Sequence, residues 1–94
     1  MMKDVQAELE ARLMAALSPT ELSVMDESHL HAGHAGARGG ARHFAVRIVS
    51  SKFNGLTRMA QHRLVYAAMA DLMPHPIHAL RIESVATSVL VNAR

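Results

Sequence analysis

The sequence contains no cysteine and no tryptophan, and aromatic residues make up only 3% of its 94 residues. Without cysteine the chain can form no disulfide and can supply no thiolate, so a metal bound by its own side chains must be held by nitrogen or oxygen. No apolar run approaches the length of about 18 residues that a membrane-spanning helix needs. The lack of cysteine excludes a disulfide scaffold and a thiolate metal centre. Because aromatic residues are few, the core must consist mainly of aliphatic side chains.

The residues that are present suit one small globular domain spanning residues 1–94. Hydrophobic residues make up 50% and charged residues 19% of the chain, which is an ordinary balance for a folded protein. The formal net charge of +2 is too small to indicate a nucleic-acid partner by itself. Because Asp4, Glu8 and Glu10 make the N-terminus unlike a targeting presequence, we expect a cytoplasmic location.

Apolar periodicity predicts the order of elements in the first half of the chain. Helical spacing predicts a helix over Met2–Leu17, which Pro19 ends because proline cannot continue the hydrogen-bond ladder. Alternation predicts strands over Glu21–Glu27 and His43–Ser51, which we expect to pair antiparallel across the segment between them.

The second half of the chain adds a helix and a strand. Asn54-Gly55 marks a turn, and Thr57 can cap a helix that is closed by Pro74. Alternation then predicts a third strand over Ile77–Val85, followed by a tail over residues 86–94. The order α-β-β-α-β predicts an α+β fold, in which helices cover one face of a three-stranded mixed sheet.

Histidine is the unusual residue type, with seven in the chain. His29, His31 and His34 fall in a glycine-rich segment, residues 28–41, that we expect to be a flexible loop; they are either solvated polar residues or metal ligands. His78 differs because alternation places it on the same side as Leu80, at the rim of the core. There it would be either a structural histidine or a ligand.

Other kinds of site are less well supported by the sequence. Four residues form a basic patch that could contact phosphates, although a solvated helix face explains them as well: Lys52, Arg58, His62 and Arg63. Motifs of serine hydrolases, zinc proteases and phosphate-binding loops are absent. Asp26 and Glu27 are adjacent in a predicted strand, so their side chains point to opposite faces of the sheet. They therefore cannot act together as a catalytic carboxylate pair. We therefore expect no enzymatic activity.

Several segments in this order and spacing resemble the BolA family. They are Val24-Met25-Asp26-Glu27-Ser28, His43-Phe44, Ile48-Val49-Ser50, Phe53-x-Gly55, His62-Arg63-x-Val65-Tyr66 and Ile77-His78-Ala79-Leu80. The resemblance implies a fold similar to a type II KH domain without the nucleotide-clamping Gly-x-x-Gly loop. It departs from the family at Gln61, where an arginine is common, and this weakens the basic patch.

The resemblance also implies a function and a ligand set. BolA-like proteins pair with monothiol glutaredoxins and share a 2Fe-2S cluster with them in iron–sulfur trafficking or iron regulation, with glutathione supplied on the partner side. The histidine of the family's His-Ala-Leu motif falls on His78. The second ligand comes from the loop after the first strand, where His31 is favoured by its distance from Ser28, and His34 and His29 are alternatives.

Two rival functions remain at this point. One is a KH-like transcriptional regulator that binds DNA or RNA through the basic patch, for which a steep salt dependence of affinity is the discriminating property. The other is a histidine-dependent zinc or copper binder, which would take up metal without any partner.

Overall fold

The computed structural model describes residues 4–28 and 42–87, and their helices and strands follow the predicted order. The elements are α1 (Val5–Leu17), β1 (Glu21–Asp26), β2 (Arg42–Ser50), α2 (Arg58–Ala68) and β3 (Ile77–Ala86). Two short 3-10 turns, Ser51–Phe53 and Ala70–Leu72, follow β2 and α2. At most of the element ends, the predicted bound and the observed bound differ by a few residues.

The three strands form one mixed sheet in the order β1-β2-β3. β1 and β2 are antiparallel, with Val24 opposite Val46, and β2 and β3 are parallel, with Phe44 beside Leu80. Buried side chains of β2 and of both helices belong to one core cluster, so the helices cover the same face of the sheet. The predicted α+β fold with a mixed sheet is confirmed.

The first helix is positioned by its cap and by one row of leucines. The Asp4 carboxylate accepts hydrogen bonds from the first free backbone N–H groups of α1, at Gln6 and Ala7, as an N-cap residue does. The leucines recur every four residues and are buried: Leu9, Leu13 and Leu17. Since residues four apart share a helix face, this row fixes which side of α1 meets the sheet.

The second helix is shorter than predicted. Thr57 caps it as expected, with its hydroxyl accepting from the Ala60 N–H at 3.1 Å, but the α-helix ends at Ala68. The chain continues as a 3-10 turn in which the Met73 N–H donates to the Ala70 carbonyl at 3.2 Å. Because Pro74 has no N–H to donate, an α-helical ladder could not continue past this point.

The two ends of the sheet differ in what surrounds them. At one end, which we call the loop end, β1 finishes at Asp26 and β2 and β3 begin. At the other, the closed end, the Ser50 hydroxyl is buried and donates to the Leu17 carbonyl at 2.6 Å. There the Asn54 side-chain oxygen also accepts from the Thr87 N–H at 3.0 Å. The closed end is therefore joined by hydrogen bonds between neutral groups, and its ion pair, Glu21 with Arg47, is largely exposed.

On each outer strand, a backbone carbonyl accepts a hydrogen bond from a side chain of a helix. The Gln6 side-chain amide of α1 donates to the Val24 carbonyl of β1 at 3.1 Å, and the Tyr66 hydroxyl of α2 donates to the Leu80 carbonyl of β3 at 3.4 Å. Within residues 4–28 and 42–87, β1 and β3 each pair with β2 alone, so no other strand of these ranges covers their outer edges. The helices thus contribute polar contacts to the strands as well as covering one face.

Candidate functional site

His78 lies at the loop end, in an irregularity of the sheet. Ile77 pairs with Arg42, but the next pair joins His43 to Ala79, so β3 has one residue more than β2 here. His78 is this extra residue, and its side chain is exposed. The predicted position at the rim of the core is wrong, because an inserted residue breaks the alternation on which that prediction depended.

The ring of His43 lies close to that of His78. Their ring centroids are 5.4 Å apart and the ring planes are inclined by 53°. His43 is only 8% exposed, and its backbone is fixed on the β1 side, where the Glu27 N–H donates to its carbonyl at 2.7 Å. One imidazole of the pair is therefore buried and held by the sheet, while the other faces the solvent.

The two residues that flank residues 29–41 are anchored beside this histidine pair. On the N-terminal side, the Ser28 hydroxyl accepts from the His43 N–H at 3.1 Å. On the C-terminal side, the Arg42 N–H donates to the Pro76 carbonyl at 2.9 Å. The chain therefore leaves β1 and re-enters β2 next to His78.

An ion pair joins the same two flanks. The Asp26 carboxylate pairs with the Arg42 guanidinium and accepts from the Ser28 N–H at 2.8 Å. Burial alone would raise the pKa of Asp26, but the hydrogen bonds from Ser28 and Arg42, with the Arg42 charge, lower it from 3.8 to about 2. The Asp26 carboxylate is thus ionised at neutral pH and ties the end of β1 to the start of β2.

A second ion pair lies across the loop end. Arg81 of β3 donates to the Glu27 carboxylate at 2.5 Å, and this hydrogen bond, with the Glu27 charge, raises the pKa of the guanidinium. Glu27, His43, Ala79 and Arg81 contribute to the lining of a shallow cavity. The positive charges of Arg42 and Arg81 are therefore both balanced by neighbouring carboxylates.

The predicted loop ligands lie outside the described residues. These are His29, His31 and His34, together with most of the predicted loop over 28–41. The C-terminal tail is described only as far as Thr87. Within residues 4–28 and 42–87, no group of three or more His, Cys, Asp or Glu side chains is close enough to hold a metal ion.

The predicted basic patch is only partly assembled. Arg58 and His62 line a cavity beside β3, but Glu83 lines the same cavity. Arg63 donates to the Met59 sulfur at 3.4 Å, within α2, and Lys52 is exposed in the turn after β2. A carboxylate among the cations makes this surface less suited to phosphates.

Sequence reasoning missed the role of His43 as a neighbour of His78, and it missed the contacts that join Asp26, Ser28 and Arg42. Alternation did place His43 on the face opposite Phe44. The signal that could have linked it to His78 was the start of two predicted parallel strands, because such starts meet at one edge of a sheet.

A model of the family described as BolA-like protein matches residues 13–88. The chain belongs to the BolA-like family. The match covers both strands of the β1–β2 pair, α2 and β3, and it includes His43 and His78. The resemblance identified from the sequence is confirmed.

Curated BolA-like relatives and solved BolA structures agree with this assignment. The chain is 44% identical over 80 residues to human BolA-like protein 1, covering 85% of this chain and 56% of the human one. It is similar to the structure of the BolA domain of SufE1 from Arabidopsis thaliana, with a TM-score of 0.81 and 33% identity over 96% of this chain and 100% of that one. The chain thus spans about half the length of the curated relatives named BolA-like protein 1.

Some BolA-like relatives are named for an organelle. One of them is Protein BOLA1, chloroplastic, from Arabidopsis thaliana, 40% identical over 79 residues, covering 81% of this chain and 49% of that one. None of the helices in the described ranges has the length and apolar character needed to cross a membrane. The cytoplasmic location stays a prediction.

Proposed function

We propose that this BolA-like chain is a non-enzymatic adaptor that binds a monothiol glutaredoxin and contributes His78, with one loop histidine, to a shared 2Fe-2S cluster. The observation that supports this most directly is the position of His78. Its imidazole is exposed at the loop end, so a partner protein can reach it without unfolding the sheet.

The donor set suits a cluster that is completed by another protein. The chain has no cysteine, whereas two-iron clusters are commonly held by thiolates, with histidine replacing cysteine at some ligand positions. A cluster held here thus needs thiolates from outside the chain, which a glutaredoxin cysteine and glutathione would provide. The cluster would supply the redox and transfer chemistry, while this chain supplies neutral imidazole nitrogen.

The flanks of residues 29–41 favour a second ligand from that segment. Ser28 and Arg42 both contact groups next to the histidine pair, and the Asp26–Arg42 ion pair holds the two flanks together. A histidine only a few residues from Ser28 is therefore within reach of His78. We propose His31 as this second ligand, with His34 and His29 as alternatives.

The family relationship supports an adaptor more than an independent catalyst. One relative, SufE-like protein 1 of Arabidopsis thaliana, is 42% identical over 79 residues, which are only 21% of its length. A solved structure is described as the BolA domain of SufE1. A domain of this kind therefore occurs as one part of a longer protein. We propose that this chain likewise acts next to a partner.

The proposal is tested by reconstitution with the partner. We would mix the protein with a monothiol glutaredoxin, glutathione, iron and sulfide, and record visible absorption and circular dichroism. We expect a mixed complex whose spectrum differs from that of the glutaredoxin homodimer. His78→Ala should abolish that difference, because the imidazole nitrogen is lost while an exposed substitution leaves the fold intact.

The matched control is His62→Ala, which removes a histidine from α2 outside the loop end. It should leave the mixed spectrum unchanged. If no mixed complex forms with the unsubstituted chain, the adaptor proposal fails. DNA binding with a steep salt dependence that substitutions of Arg58 and Arg63 flatten would then support the nucleic-acid alternative.

A further inference from the structure

We propose that Asn54 is a site of spontaneous deamidation, in which the backbone nitrogen of Gly55 attacks the side-chain amide, and that contact with Thr87 controls the rate. Asparagine is among the chemically labile residue types. A following glycine hinders the attack least, because it places no side chain next to the attacking nitrogen. The other asparagine of the chain, Asn92, is followed by alanine. This inference goes beyond the proposed function because it needs neither glutaredoxin nor a cluster.

The reaction needs water as its only co-reactant. The Gly55 nitrogen forms a bond to Cγ of Asn54, and the Nδ2 amine leaves as ammonia, taking up the proton that the Gly55 nitrogen loses. The product is a five-membered imide ring. One water molecule then opens this ring at either of its two carbonyl carbons. Opening at one carbonyl gives aspartate, and opening at the other gives isoaspartate, in which the main chain runs through the former side chain.

The turn that contains Asn54 keeps the two reacting atoms apart. The Leu56 N–H donates to the Phe53 carbonyl at 3.1 Å, Asn54 has φ −61° and ψ 130°, and Gly55 has φ 79°. These are the angles of a type II turn, which requires a residue such as glycine at its third position. Ring closure requires the Gly55 nitrogen to eclipse Cβ of Asn54, and at this ψ the nitrogen is rotated away from Cβ.

Thr87 holds the amide group that has to react. The Asn54 Oδ1 accepts from the Thr87 N–H at 3.0 Å, and the Asn54 Nδ2 donates to the Thr87 hydroxyl at 3.2 Å. The leaving amine is therefore hydrogen-bonded to the residue that follows β3. Both side chains are exposed, so this contact can open without unfolding of the core. The fold thus slows the reaction without preventing it.

The two products should affect the closed end differently. Aspartate at this position keeps a side-chain oxygen that can accept from the Thr87 N–H, and its charge strengthens that hydrogen bond. Isoaspartate lengthens the main chain by one carbon atom and shortens the side chain by one, so it is incompatible with both the type II turn and the contact with Thr87. Only isoaspartate should therefore weaken the closed end.

The test follows modification of the full chain during incubation at mildly alkaline pH, in buffer and in urea, with the site assigned by peptide mass spectrometry. We expect Asn54 to react in both, at least about tenfold more slowly in buffer, because the reaction depends on local opening. Thr87→Val should accelerate the reaction in buffer roughly two- to tenfold, the effect of one hydrogen bond, and leave the rate in urea unchanged. The matched control is Thr20→Val, whose hydroxyl donates to the Val49 carbonyl instead, and it should change neither rate.

The products are then compared by urea denaturation. The purified isoaspartate form should unfold at a lower urea concentration than the Asn54→Asp variant. The inference is overturned if Asn54 stays unmodified in buffer while the chain in urea is fully converted, if Thr87→Val reacts at the wild-type rate, or if the two product forms are equally stable. None of these results bears on the glutaredoxin experiment, which depends on His78 at the other end of the sheet.

Discussion

The loop end and the closed end of the sheet hold together by different chemistry. At the loop end, the contacts are ion pairs, Asp26 with Arg42 and Glu27 with Arg81. At the closed end, the buried contacts are hydrogen bonds between neutral groups, including the fully buried Ser50 hydroxyl, and the ion pair of Glu21 with Arg47 is largely exposed. His78, the candidate ligand that the structure describes, lies at the charged end.

This difference follows from how much solvent access each end of the sheet needs. A binding site has to leave polar side chains open to solvent, so it cannot be sealed by apolar packing, and partly exposed ion pairs hold its parts in place. The closed end carries no such requirement and can bury its polar groups with their partners. Stability should therefore depend mainly on the closed end, and pH sensitivity on the loop end.

The largest effect is expected from Phe53→Ala, which damages the closed end. Phe53 is fully buried, and truncation of a buried phenylalanine leaves a cavity that costs about 3–5 kcal/mol. The free energy of unfolding, measured by urea denaturation, should fall by this amount. Met25→Ala is the control, because Met25 is 59% exposed and its loss should cost little. Similar losses for the two variants would contradict the assignment of Phe53 to the core.

An intermediate effect is expected from Ser50→Ala. This change removes the hydrogen bond to the Leu17 carbonyl and leaves a buried acceptor unpaired, at a cost of about 1–3 kcal/mol. Because no charge is involved, the loss should be the same at pH 6 and pH 2.5. A loss that disappeared at low pH would show that the closed end is not held by neutral contacts alone.

The smallest effect, and the one that depends on pH, is expected from Asp26→Asn at the loop end. The pKa of Asp26 is lowered from 3.8 to about 2 on folding, so its ionised form stabilises the protein above pH 4, and this contribution is lost as pH falls towards 2. At pH 6 the substitution should cost about 1–2 kcal/mol, after allowance for solvent screening of a partly exposed group.

The pH dependence is checked by urea denaturation of the two proteins across this range. The difference between wild type and Asp26→Asn should shrink steadily between pH 4 and pH 2, because the wild-type carboxylate progressively takes up a proton and so loses the charge that asparagine lacks. A difference that stays constant over the whole range would rule out the charge of Asp26 as its source. The comparison with Ser50→Ala separates the titration of this carboxylate from the general effect of acid.

Local patterns in the sequence were sufficient to predict the element order and the sheet type. The leucine row of α1 and the alternation in β2 are periodicities within one element, so they can be identified without knowing the rest of the fold. The family motif also selected His78. The early end of α2 at Ala68 was missed because the apolar stripe continues into the 3-10 turn that follows.

The orientation of His78 could not be predicted in the same way. It depends on the register between β2 and β3, which are separated by α2 and its flanking turns, and one extra residue reverses the side to which a strand residue points. The approach of His43 to His78 has the same origin. The motif therefore identified the residue, but only the strand pairing gives its surroundings.

The contacts of Gln6 with the Val24 carbonyl and of Tyr66 with the Leu80 carbonyl have a consequence for assembly. Unprotected outer strands invite other chains to extend a sheet, either as functional strand addition or as aggregation. Here a helical side chain competes for a backbone acceptor on each outer strand. Association through the sheet is thus directed away from backbone pairing and towards side-chain recognition, which can distinguish one partner from another.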